Sequence, residues 1–188
     1  MNFLKQFISN PKDTGAVASS SKQLTELIVD SADVPSKKCI VELGCGSGVF
    51  TKEILNQLPA KTTFFCLEIN PKFVAQTKKL CPKATVYDAS ASEIQKYLNK
   101  HKRKTCDTVI SGLPWAMFDK QKQEELLGAV YESLEKGGTF LTFAYLQGRA
   151  LPTGKKFQKL LNETFSKVEV SEPVWKNIPP AIVYKCTK

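Results

Sequence analysis

The sequence predicts an α/β fold, built on a seven-stranded, mostly parallel sheet with helices on both faces and an antiparallel hairpin strand at its C-terminal end. Three observations predict it. Apolar strand-like runs alternate with helical patterns from about Lys38 onward, the connections between them are short, and the last two runs follow each other with no helix between. Strand, helix, strand alternation implies parallel strands joined by right-handed crossovers, which cover both faces of the sheet.

The elements follow in order. In residues 2–9, Phe3, Leu4, Phe7 and Ile8 fall on one arc at ~100° per residue, while Asn2, Lys5, Gln6 and Ser9 occupy the other. So short an amphipathic helix is marginal alone and must dock, on this chain's own surface or on a lipid interface. A turn at 10–15 and a helix at 20–31 complete an N-terminal extension of about residues 1–35. Strand runs are expected at 39–43, 62–68, 84–87, 106–111 and 139–145, with helices at 49–57, 71–80, 90–98 and 120–134 between them. After a helix at 155–165, runs at 168–174 and 181–186 should pair as a hairpin at one sheet edge, with Pro173, Pro179 and Pro180 around the connection.

At 188 residues the chain suits one domain large enough to bury a core without disulfides. Hydrophobic residues at 42% and charged residues at 24% are globular proportions, which sets disordered and fibrous classes aside. No run of ~18 apolar residues marks a spanning helix, and the opening residues lack the apolar core and cleavage site of a secretory signal. Lys+Arg 27 against Asp+Glu 18 gives +9, which favours an anionic partner or reflects a generally lysine-rich surface. Arg103 and Arg149 are the only arginines, so the surface suits diffuse attraction better than base reading. Six cysteines without a C-x-x-C pair, and His101 as the one histidine, make a zinc site improbable; no metal is expected. Cys39, Cys66, Cys106 and Cys186 sit in strand-like runs and read as reduced core residues of a cytoplasmic protein. His101 stands in a basic run before the fourth strand, at the edge opposite to ligand-binding ends, and is expected to be a solvated loop residue.

The strongest local signal is residues 39–48, where an apolar strand runs into Gly44, Gly46 and Gly48 and then a helix. Such glycines allow a tight turn and close backbone approach to a ligand. Glu42 stands at the strand end, and Glu68 ends the next strand, where a carboxylate can accept hydrogen bonds from both ribose hydroxyls. On these residues the chain from about Lys38 to Lys188 resembles the class I S-adenosylmethionine-dependent methyltransferases, with their Rossmann-like sheet. The resemblance implies S-adenosyl-L-methionine as cofactor, held by Glu42, Gly44, Gly46, Gly48, Glu68, Asp88, Ala89 and Ser111. Glu42 would support the loop, and Asp88-Ala89 would meet the adenine. The alternative reading of Asp88 is the N-cap of the following helix.

The acceptor is read from Ser111-Gly112-Leu113-Pro114-Trp115. Adenine N-methyltransferases carry an Asn or Asp, a Pro and an aromatic there; here the aromatic remains and the amide is absent. Residues 10–21, 111–114 and 175–184 are similar to signatures of bacterial phospholipid N-methyltransferases, with Ser19 in place of the usual proline. That resemblance implies stepwise methylation of phosphatidylethanolamine toward phosphatidylcholine by a single domain of residues 1–188. The enzyme would be cytoplasmic and peripheral to the inner face of the membrane. Its partner would be an anionic or zwitterionic lipid surface rather than nucleic acid; ribosomal-RNA adenine or another small amine is the alternative acceptor. The reaction is in-line attack of a neutral amine on a sulfonium methyl, so an ammonium with a pKa near ~10.4 must first lose its proton. Later rounds give a quaternary cation that aromatic faces stabilise. Trp115 and Phe118 are candidates to bind it and Tyr145 is the first choice for a catalytic role, with core packing as its alternative. Arg149 would pair with the lipid phosphate or lie solvated. No general base is evident, and loss of the proton to water serves.

Overall fold

The computed structural model describes residues 20–188; the expected amphipathic helix at 2–9 and turn at 10–15 lie outside them. Helix α1 spans Lys22–Ala32, β1 Cys39–Leu43, α2 Val49–Gln57, β2 Thr63–Glu68, α3 Pro71–Leu80, β3 Val86–Asp88 and α4 Ile94–Lys100. They are followed by β4 Cys106–Ser111, α5 Lys120–Ser133, β5 Leu134–Tyr145, α6 Leu146–Ala150, α7 Pro152–Thr164, β6 Lys167–Val170 and β7 Ala181–Thr187. The seven strands make one sheet in the order β3-β2-β1-β4-β5-β7-β6. Strands β1 to β5 pair in parallel, and β7 lies antiparallel between β5 and β6. The order reverses between β1 and β4, so the crossovers leave to opposite faces and a crevice opens at the strands' carboxyl ends.

Strand period two assigns each face its residues. In β1, Val41 and Leu43 point with Phe65, Val109 and Phe140 into the layer filled by α4, α5 and α7. Ile40 points the other way, with Cys66, Ile110 and Leu141, against Leu24, Ile28 and Ile54 of α1 and α2. Every residue of β1 is buried, as a central strand covered on both sides requires. Helix α1 begins where Ser21 Oγ accepts from Leu24 N, and it buries Leu24, Ile28, Val29 and Ala32 at helical spacing.

Departures from the expected elements have local causes. Strand β5 starts at Leu134 instead of 139, because Gly137 takes φ 78° and a register shift opposite Cys106 and Thr108 absorbs the extra residues. Strand β6 stops at Val170, since Pro173 has no N–H to donate and Val174 rejoins the sheet only through one bridge to Ala181. The fourth helical segment starts as a 3-10 turn at Ala91–Glu93, capped reciprocally by Ser90 and Glu93. The cap is therefore Ser90 and not Asp88. All six cysteines are free and buried; burial pushes Cys39 up to about 11 and Cys186 to about 12, so these thiols stay protonated.

His101 corrects the expected solvated loop. Its ring stacks on Phe65, with centroids 4.7 Å apart and planes 4° from parallel, and Nε2 lies 3.1 Å from Tyr87 Oη. The cause is α4, whose Tyr97 also packs on Tyr87 and turns the helix C-terminus back onto the sheet. Arg103 is drawn in as well, its Nε donating to Thr63 Oγ1. Burial lowers the His101 pKa, keeping it neutral. His101→Ala is expected to destabilise the protein by about 1 to 2 kcal/mol in denaturant titrations, where a solvated residue would give under about 0.5.

Candidate active site

Five strand ends meet in one cleft. Gly44 follows β1, Glu68 ends β2, Ala89 follows β3, Gly112 follows β4 and Tyr145 ends β5; all five line it. Two glycine positions show why the sequence turns there. Gly44 has φ 72°, and a Cβ on it would stand 2.8 Å from Leu113 Cδ2. Gly46 has φ 52°, and its missing side chain faces open space on the cleft wall. Gly48 stands behind that wall as the N-cap of α2, against Thr77.

Hydrogen bonds fix the loop from three sides. Gly44 N donates to Leu67 O at 2.8 Å, Gly46 N donates to Glu68 Oε2 at 3.0 Å, and Thr77 Oγ1 donates to Gly46 O at 2.8 Å. Glu68 also accepts from Asn70 N through Oε1 at 2.9 Å. Burial pushes the Glu68 carboxyl up, while the backbone N–H groups of Asn70 and Gly46 pull it the other way. These donors, with the backbone N–H of Ile69, set the direction of the carboxylate.

Glu42 lies under the loop, not in the cleft. It is wholly buried, facing α2 because the strand period puts it opposite Val41 and Leu43. Its Oε2 accepts from Thr51 Oγ1 at 2.7 Å and from Cys66 Sγ at 3.2 Å, while Oε1 has no partner. Burial raises it to about 7.

The acceptor segment departs from expectation at two residues. Ser111 is fully buried, and its Oγ accepts from Trp115 Nε1 at 3.1 Å and from Leu113 N at 3.3 Å. Its hydroxyl organises the turn and does not line the cleft, which corrects its assignment to the cofactor. Trp115 is only 2% exposed and stacks on Phe157 at 4.7 Å, so its ring is packed against the core, and both residues stand in the wall of a second cavity beside the cleft. Gln123 Nε2 holds that turn from below, donating to Trp115 O at 2.8 Å. Phe118 remains on the cleft wall. Asp88 is exposed at the end of β3, beside Glu68 in the register, while Ala89, Ser90 and Ala91 form the wall itself.

A second, mainly apolar cavity adjoins the first. Gly112, Leu113, Pro114, Phe143 and Tyr145 belong to both, and Arg149, Leu151 and Tyr184 lie in the second alone. Tyr145 thus stands at the junction, where burial raises its phenol and keeps it protonated. Arg149 is half-buried, and its Nε donates to Gln158 Oε1 at 3.2 Å.

Sequence reading missed Thr51, Thr77, Gln123 and the backbone role of Gly112. A Cβ on Gly112 would lie 2.5 Å from Gly44 O. The glycine itself, directly after a strand end, was the available signal; the threonines carry none, because their value depends on which loop their helices meet.

The cleft suits a nucleoside with a cationic sulfur. A carboxylate is held at the end of β2, an open glycine approach lies beside it, and the small residues Ala89 and Ala91 leave a flat wall. These residues fit the group that the resemblance implies.

The profile of the family described as "Methyltransferase domain" matches residues 40–138. Over 188 residues the chain is 27% identical to the ornithine lipid N-methyltransferase of Singulisphaera acidiphila, covering 98% of this chain and 93% of that protein. Among solved structures it is similar to precorrin-6y C5,15-methyltransferase from Geobacter metallireducens, with TM-score 0.69, 20% identity and 93% and 94% of the two chains covered. It is also similar to the N-methyltransferase NodS from Bradyrhizobium japonicum, with TM-score 0.69, 9% identity and 89% and 95% covered. The O-methyltransferase from Bacillus cereus in complex with SAH gives TM-score 0.70 at 12% identity, with 100% and 90% covered. At such identities the structural likeness shows the fold.

Glu42 generates a pH dependence of stability. Its folded pKa of about 7 exceeds the ordinary 4.5, so folding favours the protonated form. That contribution is whole below pH 4.5 and is lost as pH rises through about 7. Melts of wild type at about pH 5 and about pH 8 should differ by a term on the order of 3 kcal/mol at most, and Glu42→Gln should flatten the difference.

Proposed function

The chain belongs to the methyltransferase-domain family, and from that premise we propose that it is an S-adenosylmethionine-dependent N-methyltransferase of a membrane lipid amine. The acceptor is phosphatidylethanolamine, methylated stepwise toward phosphatidylcholine. The observation that carries this reading is the adjoining pair of cavities: a glycine- and carboxylate-lined cleft shares Tyr145 with a neighbouring, mainly apolar cavity that Arg149 also lines. A lipid acceptor needs that combination, an amine directed at the cleft with its anionic group and first apolar carbons beside it. Alignment over nearly the whole chain with a protein named for lipid N-methylation supports the same reading. Adenine in RNA is disfavoured, because position 111 carries no amide and its serine hydroxyl already accepts from Trp115 Nε1 and Leu113 N.

Bound S-adenosylmethionine supplies an activated methyl group on a sulfonium. The chain's own residues position it. Glu68 would hold the ribose, its orientation set by Gly46 N and Asn70 N, and Gly44 and Gly46 would give the backbone room to approach. Asp88 and Ala89 stand at the adenine end, and Glu42 secures the loop from beneath through Thr51 and Cys66. Tyr145 stays a neutral phenol, so it acts through its ring face and hydroxyl and not as a base; the ammonium proton passes to water. Phe118 offers a second apolar wall, and Arg149 pairs with the lipid phosphate. Among the described residues no helix is long and apolar enough to cross a membrane.

Labelled S-adenosylmethionine with phosphatidylethanolamine vesicles should put label into lipid. Label only in an ornithine lipid would move the acceptor within the class, and label only in ribosomal RNA would overturn it. Glu68→Gln should weaken cofactor binding by about tenfold or more in calorimetry, through loss of charge-assisted hydrogen bonds. Tyr145→Phe should retain most activity, whereas Tyr145→Ala should slow methylation of the already methylated amines by about 2- to 30-fold, resolved by mass spectrometry of the products.

A further inference from the structure

The loop between β6 and β7 presents the two most exposed large apolar side chains among the described residues, Trp175 at 70% and Ile178 at 78%. Apolar side chains of that size normally fold inward unless a partner covers them. They are kept from folding inward because Asn177, one of the two residues between them, is held inside. Asn177 is 2% exposed; its Oδ1 accepts from Ser21 N at 2.8 Å and its Nδ2 donates to Pro179 O at 2.7 Å. Val174 N donates to Ala181 O, and Leu146 N donates to Pro180 O, so both ends of the loop are tied to the sheet edge. With Asn177 turned in, its neighbours Trp175, Lys176 and Ile178 are turned out.

The position of the loop identifies what covers it. Strand β7 runs antiparallel to β5, and its first residue Ala181 pairs with Tyr145. The loop therefore sits at the carboxyl edge of the parallel strands, beside the junction of the two cavities. Met117 and Leu151, both exposed and both lining the second cavity, follow β4 and β5 at this same edge. Apolar tips with a lysine between them, on a chain of net charge +9, complement an anionic bilayer interface: the rings and methyls enter the acyl boundary while the ammonium stays with the head groups.

We propose that residues 174–178 are a membrane-docking wedge that seats the cavity mouth on the lipid surface. The inference rests on the lipid-acceptor reading for its purpose, but binding can be measured without any acceptor. The full chain is mixed with vesicles of phosphatidylglycerol and phosphatidylcholine, which offer no methylatable amine, and followed by sedimentation and intrinsic fluorescence. Trp115 and Trp175 are the two tryptophans, one 2% and the other 70% exposed, so a vesicle-induced blue shift and loss of quenching by an aqueous quencher report Trp175.

The expected result is a blue shift in wild type and an affinity loss of at least about tenfold in Trp175→Lys/Ile178→Lys, from the apolar area no longer buried. Trp175→Phe/Ile178→Leu should keep wild-type affinity, and unchanged melts would show that both variants are folded. The lysine variant should also lose activity on vesicles while retaining it on a soluble, monomeric short-chain amine lipid. Equal sedimentation of wild type and the lysine variant would overturn the wedge. A blue shift that grows with protein concentration in the absence of vesicles would overturn it too, assigning the loop to contact between copies of the chain. Docking as described with no label in any lipid amine would leave the wedge standing and defeat the acceptor reading.

Discussion

The close crossing of two backbones, Gly44 after β1 and Gly112 after β4, is the contact on which the rest of the site depends. Gly112 N donates to Leu43 O at 2.8 Å, and a single added methyl would come 2.5 Å from Gly44 O. Because neither residue has a side chain, the two strand ends can meet at the reversal of strand order without anything filling the space between them. The same two residues line the first cleft, and Gly112 lines the second as well. The common wall of the two cavities thus includes the backbone at Gly112, stiffened by the sheet on one side and by the Ser111 to Trp115 turn on the other.

Beneath that wall the polar groups are arranged to avoid a buried unpaired charge. Glu42 beside Cys66 would be costly if both ionised, and burial pushes both toward their neutral forms. Thr51, the third member, belongs to the first turn of α2, so the helix that follows the glycine loop is bonded to the strand that precedes it. Glu68 lies nearer solvent and has backbone donors on both oxygens, which is the better environment for a carboxylate required to accept hydroxyls. Two glutamates that look alike in sequence are separated by depth, Glu42 bonded beneath the loop and Glu68 at the cleft wall.

Much of the architecture was legible in the sequence because it depends on periodic burial. The β1 and β4 ranges and the α2 and α3 ranges coincide with their apolar patterns, and the helix-free link before β7 identified the antiparallel edge. The glycine loop and Glu68 were legible for a similar reason, since a strand end followed by glycines constrains backbone geometry locally. What could not be read depends on three-dimensional neighbours. His101 lies in a run of lysines and arginine, which suggests solvent, yet it stacks on Phe65, more than thirty residues earlier in the chain. Trp115 follows a proline in a familiar acceptor position, but without an amide at 111 the serine takes the indole N–H and turns the ring toward Phe157. The short α6, which carries Arg149, has too few apolar residues to leave a periodic trace.

Sheet topology also explains why chemistry and surface contact fall on one edge. Five parallel strands deliver their carboxyl ends to the cleft, and any ligand there must enter from that side. An antiparallel β7 reverses direction, so the loop that precedes it returns to that edge as well, and the Tyr145 to Ala181 pair sets its distance from the second cavity. The hairpin therefore does two things with one strand. It closes the sheet beside β5, and it carries Trp175 and Ile178 to the rim, held there by an asparagine that the core buries. A chain with a sixth parallel strand in that position would have sent the preceding connection to the opposite edge, away from the cavities. The reversed strand is what allows the proposed bilayer contact and the cleft to share one face of the sheet.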